Sequence, residues 1–355
     1  MNNKIKWLRD KISMLNMQGI IISNPINIKY LTGIDAEGVL LITRKENFFL
    51  TDARYLEHAK SVLTINDEII VNDITHVSLD DYENFFMFCE NVGFEENYIT
   101  YATYKKYIER YKIHNFEETE YMIEKQRMIK DEEELSYIEK ACYITDECFK
   151  HICEYIKVGK TEKEIAFEIE KFFVENGADG LAFDTVVASG KNSSKPHAIP
   201  TDKKIEAGDP ITIDMGCKYK GYCSDMTRTI FVKYVPIQIQ GIYDLVLKNQ
   251  LQTEKELKDG ASMRTITRMV ENDFRLNGYE LVHALGHGVG LEVHEMPYMT
   301  SRNDNLLKEN MVVTNEPGIY IPGKFGVRIE DTTLITKSGC INLTKSDKNY
   351  IIVDK

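Results

Sequence analysis

Residues 209–232, DPITIDMGCKYKGYCSDMTRTIFV, decide the fold. DPITIDMG and YCSDMTRTIFV have the apolar and β-branched content of strands, and the polar CKYKG between them supplies a turn, so the stretch predicts an antiparallel hairpin. A turn midway between Tyr219 and Lys220 sets Asp214 directly opposite Asp225, with side chains about 4.5–5.5 Å apart on one face. Two like charges so placed repel, and a cation between them removes that cost. The chain closes on a second hairpin, MVVTNEPGIYI (311–321), PGKFG, then VRIEDTTLIT (327–336). A turn at Gly323 sets Glu316 opposite Glu330 in the same way.

Between the hairpins lies HALGHGVGLEVHE (283–295), rich in glycine and histidine. Asp214, Asp225, His287, Glu316 and Glu330 together offer oxygen and imidazole but no sulfur. That donor set suits hard divalent cations such as manganese, or cobalt or zinc. Taken singly these residues have ordinary readings: an acid is commonly solvated, a histidine is commonly packed, and Arg328 beside Glu330 is ready to neutralise a neighbouring acid. Against this, Asp214 and Glu316 end strongly apolar runs, where an unpaired charge is costly. Four carboxylates balance two divalent ions, and such a pair also generates a nucleophile from water near neutral pH. His197, His283 and His294 are further candidates, as donors to a developing oxyanion or a substrate carbonyl. His283 reads equally well as support behind the ligands. His197 sits in SGKNSSKPHAIPTD (189–202), a small-polar loop after a strand, where functional residues concentrate.

Working outward, 355 residues allow two domains, each with its own core. With 44 basic against 56 acidic residues the net charge is −12, which argues against nucleic acid or an anionic membrane as the main partner. MNNKIKWLRDKISMLNMQG has an amphipathic helical pattern over about 3–18, without the apolar core of a signal peptide, and no run approaches the roughly 18 apolar residues of a spanning helix. A cytoplasmic location is expected. The seven cysteines (89, 142, 148, 153, 217, 223, 340) form no C-x-x-C pair and read as reduced, mostly buried thiols.

The N-terminal third alternates helices and strands: GIIIS as a buried strand, VLLIT and NFFLTD as a hairpin, helices near 53–62 and 80–90, and short strands at IIV and VGFE. Asp131 with Glu134 and Thr161 with Glu164 form capping boxes that start two helices. Gly159 and Gly177 read as their stops, while Pro236 and Ser262 open a later helix pair. The expected domains are 1–122 and 130–355.

The blocks FDTVVASGKNSSKPHA, DMGCKYKGYCSDMTRT, HALGHGVGLEVHEMP and NEPGIYIPGKFGVRIED occur in this order. Together they resemble the metallopeptidase family with the pita-bread fold, in its Xaa-Pro aminopeptidase and prolidase branch. IKYLTGIDAEGVLLIT and FLTDARYLEHA resemble the creatinase-like domain that precedes the catalytic domain in that branch. The resemblance covers nearly the whole chain. It implies an α/β (α+β) architecture with a smaller N-terminal domain. It implies that Asp214 holds one metal ion, Asp225 and Glu330 bridge two, and His287 with Glu316 complete the second. Glu316 also moves a proton to the leaving prolyl nitrogen, His294 stabilises the tetrahedral intermediate, and His197 contacts the substrate backbone. Arg328 orients the site acids or a substrate carboxylate, and Tyr320 lines the site. Manganese is the expected ion, with cobalt or zinc as substitutes, and a homodimer the expected assembly. Asn315 and Met296 depart from the family pattern without removing a ligand. The first expectation is an Xaa-Pro aminopeptidase acting on peptides with proline second. The alternatives are a prolidase restricted to dipeptides and, behind it, a non-hydrolytic peptide-binding relative.

Overall fold

GIIIS becomes β1 (Gly19–Ile22), all four residues buried, in a computed structural model that describes residues 3–63, 69–76 and 90–354. The chain divides into two units, Met1–Arg127 and Met128–Lys355. In the first, β2 (Val39–Thr43) and β3 (Asn47–Thr51) form the expected antiparallel hairpin. β4 (Ile69–Asp73), β5 (Asn91–Phe94) and β6 (Asn115–Glu118) complete a six-stranded mixed sheet, ordered β4-β3-β2-β1-β5-β6. The first helix, Asn3–Met14, stops short of the expected residue 18; Asn16 has a positive φ of 57°, which no helix continues through. The helix expected at 53–62 runs Leu56–Leu63. The helix expected near 80–90, and Cys89 with it, lies outside the described residues.

In the second unit both capping boxes form. Asp131 Oδ1 accepts from Glu134 N at 2.9 Å while Glu134 Oε2 accepts from Asp131 N at 2.9 Å, opening helix Glu132–Tyr155. Thr161 and Glu164 do the same for helix Glu162–Glu175. This helix pair packs its apolar faces on a four-stranded sheet of β8 (Val186–Ser189), β9 (Pro210–Met215), β12 (Met226–Val232) and β20 (Ile352–Val353). A small sheet of β7 (Gly180–Leu181), β10 (Cys217–Tyr219) and β11 (Tyr222–Cys223) extends the hairpin tip. The second helix pair, Ile237–Glu256 and Met263–Leu276, covers a second core. Its strands include β13 (Gly286–Gly288), β14 (Glu295–Met299), β15 (Val312–Asn315), β18 (Asp331–Ile335) and β19 (Cys340–Asn342), with β16 (Gly318–Ile321) and β17 (Phe325–Arg328) as the hairpin end. The two larger sheets of this unit thus each have a helix pair on one face, leaving the other to build a site.

The two hairpins test the register expectations. In the second, Gly318 opposes Arg328 and Asn315 opposes Asp331, the single register that a turn at Gly323 demands. In the first, the expected register is wrong by two residues: Tyr219 opposes Tyr222 and Asp214 opposes Thr227. The turn lies at Lys220–Gly221, both with positive φ (51° and 82°), the backbone of a tight hairpin turn. A slip of two keeps Asp214 and Asp225 on one face but makes them diagonal neighbours, with Thr227 across from Asp214. The six described cysteines are all free, four of them buried. No helix among the described residues is long and apolar enough to cross a membrane.

Candidate metal centre

The hairpins cross where Glu330 N donates to Thr227 O at 3.0 Å. Behind this crossing Arg228, 1% exposed, donates from Nη1 to the Thr227 and Glu330 carbonyls. Its Nη2 reaches Asp331 Oδ1 at 2.6 Å and Ser346 O at 2.7 Å, and its Nε reaches Asp347 O at 3.0 Å. All five guanidinium hydrogens are therefore used, three on the acid-bearing segments at Thr227, Glu330 and Asp331 and two on the C-terminal segment at Ser346 and Asp347.

On the opposite side the acids and imidazoles converge. Ligand atoms of Asp214, Asp225 and Glu330 lie within 4.8 Å of one another, and those of His287, Glu316 and Glu330 do likewise. A third set joins Asp225, His287 and His294. His287 Nε2 is 3.6 Å from Asp225 Oδ2 and 3.4 Å from Glu316 Oε1, while its Nδ1 is 3.2 Å from Gly288 O. Only a protonated Nδ1 bonds a carbonyl, so Nε2 turns a lone pair toward the acids, the tautomer a metal ligand needs. Burial drives the His287 pKa down to about 4, which keeps the ring neutral. Gly286 and Gly288 flank it because a Cβ on either would lie about 2 Å from a neighbouring strand's carbonyl oxygen, Thr314 O (2.0 Å) or Met296 O (2.2 Å).

The acids are placed at an electrostatic cost. Burial, followed by the neighbouring carboxylates, pushes Asp225 and Glu330 well above the usual carboxylate range, and burial lifts Glu316 to about 8. Arg328 offsets part of this. Its Nη2 donates to Asp214 Oδ2 at 2.6 Å, Nε to Thr227 Oγ1 at 3.0 Å, and Nη1 to Tyr320 Oη at 2.6 Å and Pro196 O at 3.2 Å. Thr227 in turn donates to Glu330 Oε2 at 2.6 Å. One cation among four acids leaves a deficit, and Asp214 Oδ1 is buried with no partner. An orphaned carboxylate oxygen facing two raised acids is what a site built for cations shows without them, so the residues fit divalent metal.

The cluster forms the floor of a cavity of about 730 Å³ whose walls include His197, His283, His294 and Arg328. His283 Nε2 is 3.0 Å from Tyr320 Oη, and burial lowers its pKa to about 4, so the neutral ring accepts the hydroxyl that Arg328 polarises. His294 is exposed, its ring edge-on to His287 at 4.3 Å between centroids. His197 is exposed on the loop after β8. All ten residues singled out in the sequence therefore meet at this one place. The sequence reading missed Thr227, for which the displaced register is the cause, and the wall residues Phe183, Thr185, Ile199 and Tyr298. Thr185 Oγ1 is buried there without a partner; no spacing signal marks it.

A fold with two helix-backed sheets around a carboxylate–imidazole floor defines a metallohydrolase of mixed α/β type. Residues 136–337 match the model for metallopeptidase family M24 and residues 4–129 that for the creatinase/prolidase N-terminal domain. The chain belongs to the M24 metallopeptidase family, and the pita-bread architecture with a creatinase-like N-terminal unit follows. It is similar to the Xaa-Pro dipeptidase of Pyrococcus horikoshii, 36% identical over 99% of each chain. The solved Xaa-Pro dipeptidase of Bacillus anthracis matches at 37% identity and a TM-score of 0.92, covering 99% of both chains. The X-Pro aminopeptidase of Thermotoga maritima matches at 32% identity and 0.87, over 97% of this chain and 100% of that one.

Proposed function

We propose that this metallopeptidase is an Xaa-Pro dipeptidase that hydrolyses the imide bond of dipeptides ending in proline. The observation that carries the chemistry is the pair of ligand sets sharing Glu330 on the cavity floor. The choice of dipeptides rests on the Pyrococcus horikoshii and Bacillus anthracis relatives, which reorders the aminopeptidase-first expectation from the sequence. The Thermotoga maritima relative keeps the aminopeptidase as the second reading.

Asp214, Asp225 and Glu330 would hold one divalent ion, and His287, Glu316 and Glu330 with Asp225 the other; manganese is the first to test, then cobalt and zinc. Bound there, such ions polarise the scissile carbonyl and acidify water. Glu316, on the cavity floor with its Oε1 3.4 Å from His287 Nε2, takes a proton from the attacking water and delivers it to the prolyl nitrogen as the C–N bond breaks. His294, on the cavity wall next to His287, donates to the oxygen that gains charge. His197 holds the substrate backbone, and the Arg328–Tyr320–His283 chain fixes Asp214 and that wall. The test is release of alanine from Ala-Pro and from Ala-Pro-Ala, after chelation and with manganese restored. Turnover of Ala-Pro alone is expected; turnover of Ala-Pro-Ala returns the aminopeptidase. Unchanged rates in Asp225→Ala and Glu330→Ala refute the metal mechanism altogether. Gel filtration and cell fractionation would check the homodimer and cytoplasmic expectations.

A further inference from the structure

The loop carrying His197 has no secondary structure beyond a short 3-10 turn, Gly190–Ser194, yet its ends converge on one buried carboxylate. Glu162, fully buried at the start of helix Glu162–Glu175, takes Ser189 at one end of the loop and Thr201 at the other. Its Oε1 accepts from Ser189 N at 2.7 Å and Ser189 Oγ at 2.8 Å. Its Oε2 accepts from Thr201 N at 2.9 Å and Thr201 Oγ1 at 2.6 Å. Asn192 Nδ2, inside the loop, reaches both oxygens at 3.1 and 3.0 Å. Five donor groups thus fill the capacity of one ionised carboxylate, and charge-assisted bonds of this kind are the strong ones. Although burial works against the charged form, these bonds hold the Glu162 carboxyl below its ordinary pKa.

We propose that Glu162 is a positioning residue: its carboxylate clasps both ends of the 190–200 loop and so fixes His197 over the cavity floor. The two ends lie 12 residues apart in the chain, and without a common acceptor their four donors would need water. From the other side the loop is seated by Gly326 N donating to Ser193 Oγ at 2.9 Å and by Arg328 Nη1 at Pro196 O. Lys203 adds to the clasp by donating to Ser189 Oγ at 3.0 Å while paired with Asp209 at 2.6 Å. Exposed residues of a loop without regular structure, His197 and Ile199 among them, then stand at a defined place on the cavity wall. Among the described residues the Glu162 carboxylate bonds Ser189, Asn192 and Thr201, none of them a cavity-wall residue or a metal ligand, so its action is through the loop. The proposal rests on the role given to His197 under the proposed function.

The experiment is a double-mutant cycle on the metal-loaded enzyme with Ala-Pro: Glu162→Gln, His197→Ala and the two together, well below their melting temperatures. A glutamine keeps the volume but replaces one acceptor by an NH2 that faces donors. Misplacing a substrate-holding group by about 1 Å costs on the order of 100-fold in rate, so Glu162→Gln should lower kcat/KM about 10- to 100-fold. In the His197→Ala background the same change should cost less than about threefold, because the group it positions is gone. Metal content and the melting-temperature rise on adding manganese should match the parent in all three variants. Equal effects of Glu162→Gln in both backgrounds, or parental kinetics in Glu162→Gln, would overturn the clasp while leaving His197 in its role. Parental kinetics in His197→Ala would instead remove that role, and the clasp with it. Should Glu162→Gln fail to fold, Thr201→Val removes only one hydroxyl donor; it should show a smaller loss that likewise disappears without His197, and additivity there overturns the proposal equally.

Discussion

With its metal removed, the catalytic unit should lose stability as pH rises from about 6.5 to about 8. Burial and neighbouring acids lift Asp225, Glu316 and Glu330 above the ordinary carboxylate range, Glu316 to about 8. In that window the folded protein holds protons that the unfolded chain has released. Stability therefore falls with rising pH until the folded pKa is passed. His283 and His287 act with the opposite sign, since burial lowers both from 6.5 to about 4; their contribution rises between those values and is complete above 6.5. Above 6.5 the acids are left to set the slope. Glu316 alone spans 8 − 6.5 = 1.5 pH units, and at about 1.4 kcal/mol per unit this is about 2 kcal/mol, with Asp225 and Glu330 adding in the same direction. The assay is urea unfolding followed by circular dichroism, on chelated protein at pH 6.5 and pH 8 and equal ionic strength. Adding manganese should flatten or reverse the slope, because cations bind the deprotonated ligands and so stabilise more at the higher pH. Glu316→Gln should lose part of the slope in the chelated protein. A chelated enzyme as stable at pH 8 as at 6.5 would refute the account of the acid cluster as an electrostatic cost relieved by metal.

Two further outcomes follow from neighbouring geometry. Arg228→Met leaves Asp331, 0% exposed, with Lys348 at 2.8 Å and Gln250 at 2.7 Å but without its guanidinium, and takes the arginine donor from the Glu330 carbonyl, while Thr227 O keeps Glu330 N. Breaking a buried pair costs about 3–5 kcal/mol; with Lys348 still present the lower end is expected in the urea midpoint, and a loss below about 1 kcal/mol would show that the staple does not hold the strands. Gly326→Ala places a Cβ 2.2 Å from Ser193 O, so the His197 loop must move. A loss of about 1–3 kcal/mol with a raised KM for Ala-Pro is expected, and unchanged KM would show that the loop's seat on β17 does not matter for substrate.

The second hairpin was legible to the residue because Gly323 sits midway in a symmetric apolar pattern, and one register runs from Val312–Leu334 to Ile321–Phe325. The first was not. Lys220 occupies a positive-φ position that asparagine, aspartate or glycine normally marks, so the sequence places the turn's centre one residue early and the register two residues out. The acids stayed on the right face because a strand's side chains repeat every two residues. The capping boxes were legible because both halves of each lie within four residues. Glu162, by contrast, reads as an ordinary acid in the first turn of a helix; nothing in TEKEI announces that it closes a loop ending at Thr201.

The sequence by itself determined most of the elements, the two-part organisation, and which acids share a strand face, since strand alternation and turn residues are local properties of the chain. Tertiary structure alone decided what those side chains feel. Arg228 uses all its donors, Asp214 keeps one oxygen unpartnered, Glu316 is raised toward neutral pH, and Glu162 gathers five donors. Burial and convergence of residues about a hundred positions apart, such as Thr227 and Glu330, set these properties. Desolvation and Coulomb energy depend on distances through space, which spacing along the chain does not encode.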